Sequence, residues 1–217
     1  MGKLVFFDLD KTLLDCHTAN GWLWRELRLG NISYLQAFKG IWWLLKYKLG
    51  FAAMEDSIRQ AIQGFNGQKE EDVRNRIICF WEEDLQRRFR PKAKAIVDQH
   101  LEQGDVLALI TGSSYYLAEI IGQKWGFSYV VANRFLVEGD TFTGEAQEPL
   151  CYGEGKVHYA SQLAEEEGVS LDECVFYTDS ISDLPLLEKV GCPVAVHPDY
   201  VLKKVAKKRG WKISFWS

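Results

Sequence analysis

After Pro91, short apolar runs that fit buried strands alternate with amphipathic stretches that fit helices, and this alternation constrains the fold more than any other feature. It predicts helices at 92–102, 115–125, 156–167 and 184–189, and strands at 106–111, 129–137, 174–179 and 193–197. The segment EGDTFTGE is predicted to turn the second of these strands back as a hairpin. Alternation of this kind is typical of a parallel sheet covered by helices on both faces.

The first part of the chain has a different periodicity. Residues 3–7 form a short apolar run that fits a buried parallel strand, whereas residues 15–88 carry apolar side chains three and four positions apart, as at Ile58 and Ile62. This spacing favours helices throughout the second stretch. We therefore predict an α/β protein whose parallel-sheet core carries a small all-helical insertion after the first strand. The predicted boundaries are 1–14 and 89–217 for the core and 15–88 for the insertion.

Length and charge restrict the class of protein and its partners. A chain of 217 residues suffices for one core plus a small insertion. The formal net charge of −4 gives no reason to expect a nucleic acid partner. The most apolar stretch, 34–51, is interrupted by three lysines, so no transmembrane segment is predicted. Nothing in the sequence indicates an oligomeric state.

The cysteines indicate the compartment. There are five, far apart in the chain and never in a C-x-x-C arrangement. A disulfide framework or a zinc site is therefore not expected. Because the N-terminal residues begin a strand and lack a signal-peptide pattern, reduced thiols predict a cytoplasmic protein.

Polar side chains cluster where the predicted strands end or where the following helix begins. They are Asp8, Asp10, Thr12, Thr111, Ser113, Lys156, Asp179 and Asp183, with the backbone amide of Gly112 between Thr111 and Ser113. In parallel sheets, ligands bind at the carboxyl ends of the strands. These side chains are therefore predicted to converge on one edge of the sheet.

Such a set of side chains favours phosphate chemistry. Four carboxylates cannot share a dry pocket without a cation, because like charges raise one another's pKa. Oxygen ligands of this kind favour Mg²⁺, and a lysine together with a helix N-terminus favours a bound phosphate. A carboxylate facing the phosphate can act as a nucleophile and form an aspartyl-phosphate. A second carboxyl group two residues later can protonate the leaving oxygen and then activate water.

Four short motifs, DLDKT, LITGS, GEGK and YTDSISDLPLLE, resemble the ordered motifs of the haloacid dehalogenase superfamily. The helical insertion resembles the C1-type cap of that superfamily, and VVANRFLVEGDTFTGE is similar to its phosphoserine phosphatase branch, subfamily IB. The resemblance implies a Mg²⁺-dependent phosphomonoester hydrolase, on a Rossmann-like core, that acts through an aspartyl-phosphate intermediate.

The resemblance also implies a role for each matching residue. Asp8 would be the nucleophile and Asp10 the general acid and base. Thr111 would hydrogen-bond the phosphoryl group, and Lys156 would hold nucleophile and phosphate together against charge repulsion.

The remaining matches concern substrate and metal. Thr12 would steady the loop, and the backbone amides of Gly112 and Ser113 would bind the phosphoryl group. The Mg²⁺ ligands implied are Asp8, the main-chain carbonyl of Asp10, Asp179 and, through water, Asp183.

The predicted cap departs from the phosphoserine phosphatase pattern. His17 stands where those enzymes carry a glutamate for the substrate ammonium, and Ser182 stands where they carry an asparagine. Arg59 is a weak match to the arginine that grips the substrate carboxylate. These changes predict a small polar phosphomonoester other than L-phosphoserine, such as an amino-alcohol phosphate, histidinol phosphate or a glycerophospholipid head group. His17 equally fits a hinge residue that faces water.

The predicted cap is rich in aromatic residues, for which three interpretations stay open. These side chains fit a small helical core, an apolar wall over the substrate, or a basic and aromatic helix that makes peripheral contact with anionic lipid. The block consists of Trp22, Trp24, Phe38, Trp42, Trp43, Tyr47 and Phe51.

Two other function classes use related patterns. A phosphotransferase could employ the same motifs, as could a phosphonatase, although the latter needs a cap lysine that does not stand out here. A non-catalytic binding module would be expected to lose Asp8 or Asp10, and both are present.

The remaining histidines and one cysteine near the motifs are not predicted to act in the site. His100, His158 and His197 have no acidic or cysteine partner at the spacing of metal ligands, so they fit surface or hydrogen-bonded side chains. Cys151 fits a small buried side chain that fills space in the core.

Overall fold

The computed structural model describes residues 2–34, 42 and 54–217. Within them, six parallel strands form one sheet in the order β3-β2-β1-β6-β7-β8, and β4 pairs with β5 as a separate antiparallel hairpin. The strands are β1 (Leu4–Phe7), β2 (Val106–Ser114), β3 (Tyr129–Asn133), β4 (Phe135–Glu138), β5 (Thr141–Ala146), β6 (Val175–Thr178), β7 (Cys192–Val196) and β8 (Lys212–Ser214).

Helices cover both faces of the sheet. The described helices are α1 (Thr18–Arg28), α2 (Met54–Gln63), α3 (Glu70–Phe80), α4 (Ala93–Glu102), α5 (Tyr115–Trp125), α6 (Glu154–Glu166), α7 (Leu184–Leu187) and α8 (Tyr200–Arg209). α4 and α5 pack on one face, and α6, α7 and α8 pack on the other. The predicted α/β fold is therefore confirmed, while α8 and β8 were not predicted.

The central strand β1 is apolar throughout because both of its faces are buried. Val5 and Phe7 point into the core beneath α4 and α5, and Leu4 and Phe6 point into the core beneath α6. None of these side chains is more than 2% exposed. Alternating burial on two covered faces is why the strand lacks the polar alternation of a half-exposed one.

One strand prediction is wrong. The run 129–137 is not a single strand, because β3 ends at Asn133 and β4 starts at Phe135. The Asn133 side chain donates to the Gly112 carbonyl at 2.7 Å and accepts from the Cys151 backbone amide at 2.8 Å. These bonds fix Asn133 in the main sheet, and the chain then leaves the sheet to form the β4–β5 hairpin.

The chain enters the helical segment after Leu14 and leaves it before Phe89, and these two residues lie side by side. Leu14 and Phe89 form an antiparallel bridge. On either side of it, the amide of Asp15 donates to the Arg88 carbonyl and the amide of Arg90 donates to the Leu13 carbonyl, each at 2.8 Å. This pairing supports the division into a core and a cap at residues 14–15 and 88–89, which remains our proposal.

The cap segment is also hydrogen-bonded to the hairpin, a contact that the sequence did not predict. The Gly67 amide donates to the Phe142 carbonyl at 2.8 Å, and the Phe142 amide donates to the Gln68 carbonyl at 2.9 Å. The Glu70 amide donates to the Asp140 carbonyl at 2.8 Å. The start of α3 is therefore anchored to β5 by backbone bonds.

The aromatic block is only partly described. Trp22 packs against Phe80, with ring centroids 5.6 Å apart, as the core interpretation requires. Trp24 and Trp42 are 64% and 49% exposed. Phe38, Trp43, Tyr47 and Phe51 lie outside the described residues. Among the helices that are described, none is both long and apolar enough to cross a bilayer.

Candidate active site

The polar residues meet at the carboxyl end of β1, where the strand order reverses. β1 lies between β2 and β6, and the Asp8 amide donates to the Tyr177 carbonyl of β6 at 2.9 Å. After Asp8 the chain makes a tight helical turn, Leu9–Leu13, in which Lys11 takes a left-handed φ of 59°. The turn brings the Thr12 hydroxyl back to donate to Asp8 Oδ2 at 3.3 Å. Thr12 thus steadies the carboxylate of Asp8.

Lys156 bridges two buried carboxylates. Its Nζ donates to Asp8 Oδ1 at 2.8 Å and to Asp183 Oδ2 at 2.9 Å. Lys156 reaches them from the first turn of α6, which begins just after Gly153. A side chain at Gly155 would meet the Leu150 carbonyl oxygen at 1.8 Å, so glycine is required for the close approach that seats this turn. The GEGK motif therefore positions the lysine.

The carboxylates outnumber the cation that neutralises them. Burial, together with the charges of Asp183 and Asp10, raises the pKa of Asp8 to about 7 despite the opposing effect of Lys156. Burial, followed by the charges of Asp8 and Asp183, raises the pKa of Asp179 to about 8. Burial alone would lower the pKa of Lys156, but Asp183 and Asp8 outweigh it and raise that pKa. The negative charge of these carboxylates therefore exceeds the single positive charge of Lys156.

The donor set fits Mg²⁺. Oδ1 of Asp183 is buried without a hydrogen-bond partner, whereas its Oδ2 receives Lys156 and Thr178. Among the described residues, no three Asp, Glu, His or Cys side chains form a ready-made metal cage. Mg²⁺ characteristically binds through one or two carboxylates and fills its remaining positions with water and substrate phosphate. The orphaned oxygen and the excess of carboxylates fit that mode of binding.

Asp10 is held by the first residue of the cap helix α1. The Thr18 amide donates to Asp10 Oδ1 at 3.1 Å, and the Thr18 hydroxyl donates to Oδ2 at 3.0 Å. Burial raises the pKa of Asp10 to about 6, and the two bonds from Thr18 oppose the rise. A carboxyl group that titrates near neutrality can both give and take a proton. Sequence reasoning missed Thr18, whose only local signal is its place at the start of a helix.

The C-terminal end of β2 carries the residues that are predicted to bind the phosphoryl group, and this strand continues to Ser114, beyond its predicted end at 111. β2 pairs in parallel with β1, with Leu109 opposite Phe7, so Thr111 lies at the same sheet edge as Asp8. The Thr111 hydroxyl accepts from the Ser113 amide at 3.1 Å. The Asn133 side chain fixes this segment, because its amide donates to the Gly112 carbonyl. Asn133 was not predicted as a site residue, because its partners are far away in the sequence.

The two predicted substrate residues of the cap, His17 and Arg59, lie at its surface. His17 is exposed and lines a groove of about 620 Å³ with Lys11 and Arg88. Burial and the charge of Lys11 lower the pKa of His17. Arg59 is 48% exposed and pairs with Glu148 at 3.0 Å. The substrate roles of both residues remain predictions.

Beside Asp10 is a second, smaller cavity of about 110 Å³ between the cap helices and the core. Thr18 and Ser113 lie in its lining, and their hydroxyl oxygens are 3.0 Å apart. The cavity thus starts at the residues that flank the predicted proton donor.

Residues 5–188 match the model of the haloacid dehalogenase-like hydrolases. The chain belongs to this family. The match extends from the β1 strand through the motif that contains Asp179 and Asp183, so all four motifs lie inside it. The predicted family and enzyme class are confirmed, since this haloacid dehalogenase-like hydrolase has relatives named as phosphatases.

Three curated relatives span different shares of the chain. A Mycobacterium leprae protein described as a hydrolase is 29% identical over 96% of this chain and 71% of its own. A Mycobacterium tuberculosis phosphoserine phosphatase is 35% identical over 55% of this chain and 39% of its own. A Neisseria meningitidis histidinol-phosphatase is 25% identical over 98% of each chain. The hydrolase thus spans well under half of the M. tuberculosis relative but nearly all of the N. meningitidis one.

Solved structures share the fold. A Bordetella pertussis protein of unknown function matches with a TM-score of 0.90, at 25% identity over 98% of both chains. A substrate-bound phosphoserine phosphatase matches with a TM-score of 0.72, at 22% identity over 94% of this chain and 90% of that one. The described residues of this hydrolase therefore share the fold of proteins that include a phosphoserine phosphatase.

Proposed function

We propose that this hydrolase cleaves phosphomonoesters through an aspartyl-phosphate on Asp8, with Mg²⁺ as cofactor. The observation that carries the proposal is Lys156, buried between Asp8 and Asp183 next to a carboxylate oxygen that has no partner. A buried lysine held by two carboxylates keeps its charge, and it leaves one oxygen of Asp8 free of that ion pair. That arrangement suits attack on a phosphorus atom.

The proposed reaction has two steps. In the first, an Asp8 oxygen forms a bond to phosphorus while the bond to the leaving oxygen breaks, and Asp10 gives that oxygen its proton. In the second, water attacks the phosphorus of the aspartyl-phosphate, Asp10 takes the proton of that water, and phosphate leaves with Asp8 restored. Asp10 therefore ends the cycle protonated, as it began.

The remaining residues bind and neutralise charge. Thr111 and the amides of Gly112 and Ser113 would hold the phosphoryl oxygens, and Lys156 would offset their charge. Asp8, Asp179, Asp183 and the Asp10 carbonyl would hold Mg²⁺, directly or through water, which when bound stabilises the negative charge on the phosphoryl group.

The substrate of this proposal is a small phosphorylated metabolite in the cytoplasm. Histidinol phosphate and phosphoserine are candidates because relatives carry those names, and an amino-alcohol phosphate is the third candidate. The cytoplasmic assignment is supported by the five cysteines, which are far apart in the sequence and never in a C-x-x-C arrangement.

A second candidate is a phosphatase of glycerophospholipid head groups at a membrane surface. It is favoured by the exposed aromatic side chains of Trp24, Tyr34 and Trp42. Large exposed aromatic groups suit the interface of a bilayer. Binding to anionic vesicles, measured by sedimentation, distinguishes this candidate from a metabolite phosphatase.

The test is phosphate release from a panel of small phosphomonoesters with Mg²⁺ and with a chelator. Borohydride reduces an aspartyl-phosphate to homoserine, so mass spectrometry should find homoserine at position 8 during turnover. Asp8→Asn should abolish both signals with an unchanged fold, whereas Asp72→Asn, on the exposed start of α3, should change neither. Phosphate release by Asp8→Asn at the unaltered rate would refute the covalent mechanism.

A further inference from the structure

We propose that the small cavity beside Asp10 receives the leaving group of the substrate, and that this group is uncharged and ends in one flat ring or a short alkyl chain. The inference rests on the proposed function, whose leaving oxygen must take a proton from Asp10. It goes beyond that function because it assigns the chemical class of the leaving group, and it ranks an uncharged leaving group above the three amino-bearing candidates named there.

The position of the cavity supports the assignment. Thr18 lies in the lining and its hydroxyl donates to Asp10 Oδ2 at 3.0 Å. Ser113 also lies in the lining, and it belongs to the loop predicted to bind the phosphoryl group. The carbon atom bonded to the leaving oxygen is therefore expected to lie between Thr18 and Ser113, at the edge of the cavity.

The wall of the cavity is apolar. It is formed chiefly by Trp22, Phe65, Ile77, Phe80, Leu117 and Phe135. Of the described residues in the lining, none carries an ionisable side chain. An ammonium or carboxylate group in this space would lose its hydration without gaining an ion pair. A ring or an alkyl group would gain apolar contact instead.

The charged groups behind the wall are already paired with one another. Glu26 is buried and lies one helical turn after Trp22. It accepts hydrogen bonds from Arg76 at 2.7 Å and from Asn31 at 3.1 Å. The Arg76 guanidinium lies 5.9 Å from the centre of the Trp22 ring. The Glu26–Arg76 pair therefore supports the aromatic wall and is not directed at a ligand.

The hydroxyl groups in the lining are also engaged. The Ser114 hydroxyl accepts from the Leu117 amide at 3.4 Å and so caps α5. The Thr18 hydroxyl donates to Asp10, which leaves the Ser113 hydroxyl to donate to Thr18. These groups can orient a leaving oxygen, but they supply no charge for a polar head group.

The size of the cavity suits a small group. Its volume is about 110 Å³. An enclosed apolar cavity of about 150 Å³ lined by Leu, Ile and Phe holds benzene. The two volumes are of the same order, so the space suits one ring or a few carbons next to the leaving oxygen.

The experiment compares four substrates on the unaltered protein. They are 2-phenylethyl phosphate, acetyl phosphate, O-phosphoethanolamine and L-phosphoserine. We expect kcat/KM for 2-phenylethyl phosphate to exceed that for either amino compound by at least about tenfold, the discrimination typical of an apolar pocket. A higher kcat/KM for phosphoserine or phosphoethanolamine would overturn the inference.

A variant that fills the cavity gives an independent readout. Ala19 is exposed on α1 and lies in the lining, so Ala19→Leu adds three carbons there with little risk to folding. We expect its KM for 2-phenylethyl phosphate to rise about tenfold, and its KM for acetyl phosphate, whose leaving group is small, to rise by a much smaller factor. The matched control is Ala61→Leu, on the exposed face of α2 outside the lining, which should change neither.

Different outcomes overturn the inference and the proposed function. Loss of acetyl phosphate and 2-phenylethyl phosphate cleavage by the same factor in Ala19→Leu would contradict the assigned cavity. Cleavage of acetyl phosphate by the unaltered protein with no preference for the ring would overturn the inference and leave the proposed function standing. No cleavage of any of the four, with no homoserine at position 8, would overturn both.

Discussion

Thr18 holds both carboxylate oxygens of Asp10, one through its backbone amide at 3.1 Å and the other through its hydroxyl at 3.0 Å. The first residue of the cap helix α1 therefore fixes the orientation of the predicted proton donor of the core. Any displacement of α1 would carry Thr18 away from Asp10. In the proposed mechanism, the cap therefore helps to position the proton donor as well as lying over the leaving group.

Thr18→Val should lower kcat by about tenfold with KM nearly unchanged, because it removes one hydrogen bond from Asp10 and no contact to phosphate. The measurement is steady-state kinetics with an alkyl phosphate, which needs the proton. Thr18→Ser, which keeps the hydroxyl, should restore most of the rate. A merely structural role would instead appear as lost thermal stability in Thr18→Val, with no rescue of kcat by serine.

Asp10→Asn should separate the two chemical steps. With p-nitrophenyl phosphate the first step needs little protonation, because the leaving group is already stable as an anion. Hydrolysis of the aspartyl-phosphate should then be slow, since water has lost its base. Stopped-flow absorbance should show a burst followed by a slow steady state, and equal slowing of both phases would mean that Asp10 serves mainly to hold the loop.

Lys156→Met should destabilise the fold by about 3–5 kcal/mol, because it leaves two buried carboxylates, Asp8 and Asp183, without their cation. The comparison is Lys94→Met, whose exposed pair with Asp98 is worth less than about 1 kcal/mol. Thermal unfolding should also show a larger upward shift of Tm on addition of Mg²⁺ for Lys156→Met than for the unaltered protein. Equal Mg²⁺ shifts in both proteins would argue against a metal among these carboxylates.

His17→Ala should change kcat/KM by less than about twofold for an uncharged ring substrate, because His17 lies outside the lining of the cavity beside Asp10. Steady-state kinetics on the substrate panel measures this. A tenfold loss restricted to one polar substrate would instead support the substrate-binding role predicted from the sequence.

The structure also changes the interpretation of the aromatic residues. From the sequence they fitted a cap core best, and a substrate wall or a lipid contact less well. Trp22 and Phe80 belong to the cap, and they form one apolar wall with Leu117 and Phe135 of the core. For Trp22 the first two interpretations therefore coincide, because this side chain packs against Phe80 in the cap and also lines the cavity.

The sequence by itself determined the sheet edge and the residues that lie on it. Asp8, Lys156 and Asp183 are far apart in the chain, yet the ends of parallel strands and the starts of the following helices meet at one edge, so local patterns were enough to place them together. The DLDKT motif directly follows the end of β1, and the GEGK motif spans the start of α6. Sequence periodicity predicts strand ends and helix starts to within a few residues, so it also predicts where these motifs lie.

Only the tertiary structure decided what faces those residues from outside the sheet. The contact of Thr18 with Asp10, the bonds of Asn133 to Gly112 and Cys151, and the apolar cavity all join segments that are separate in the sequence. Such contacts depend on how the cap lies on the core and on where a side chain finds a buried partner. Neither is encoded in a local pattern, because side-chain packing and hydrogen bonding between distant segments are fixed only when the chain is folded.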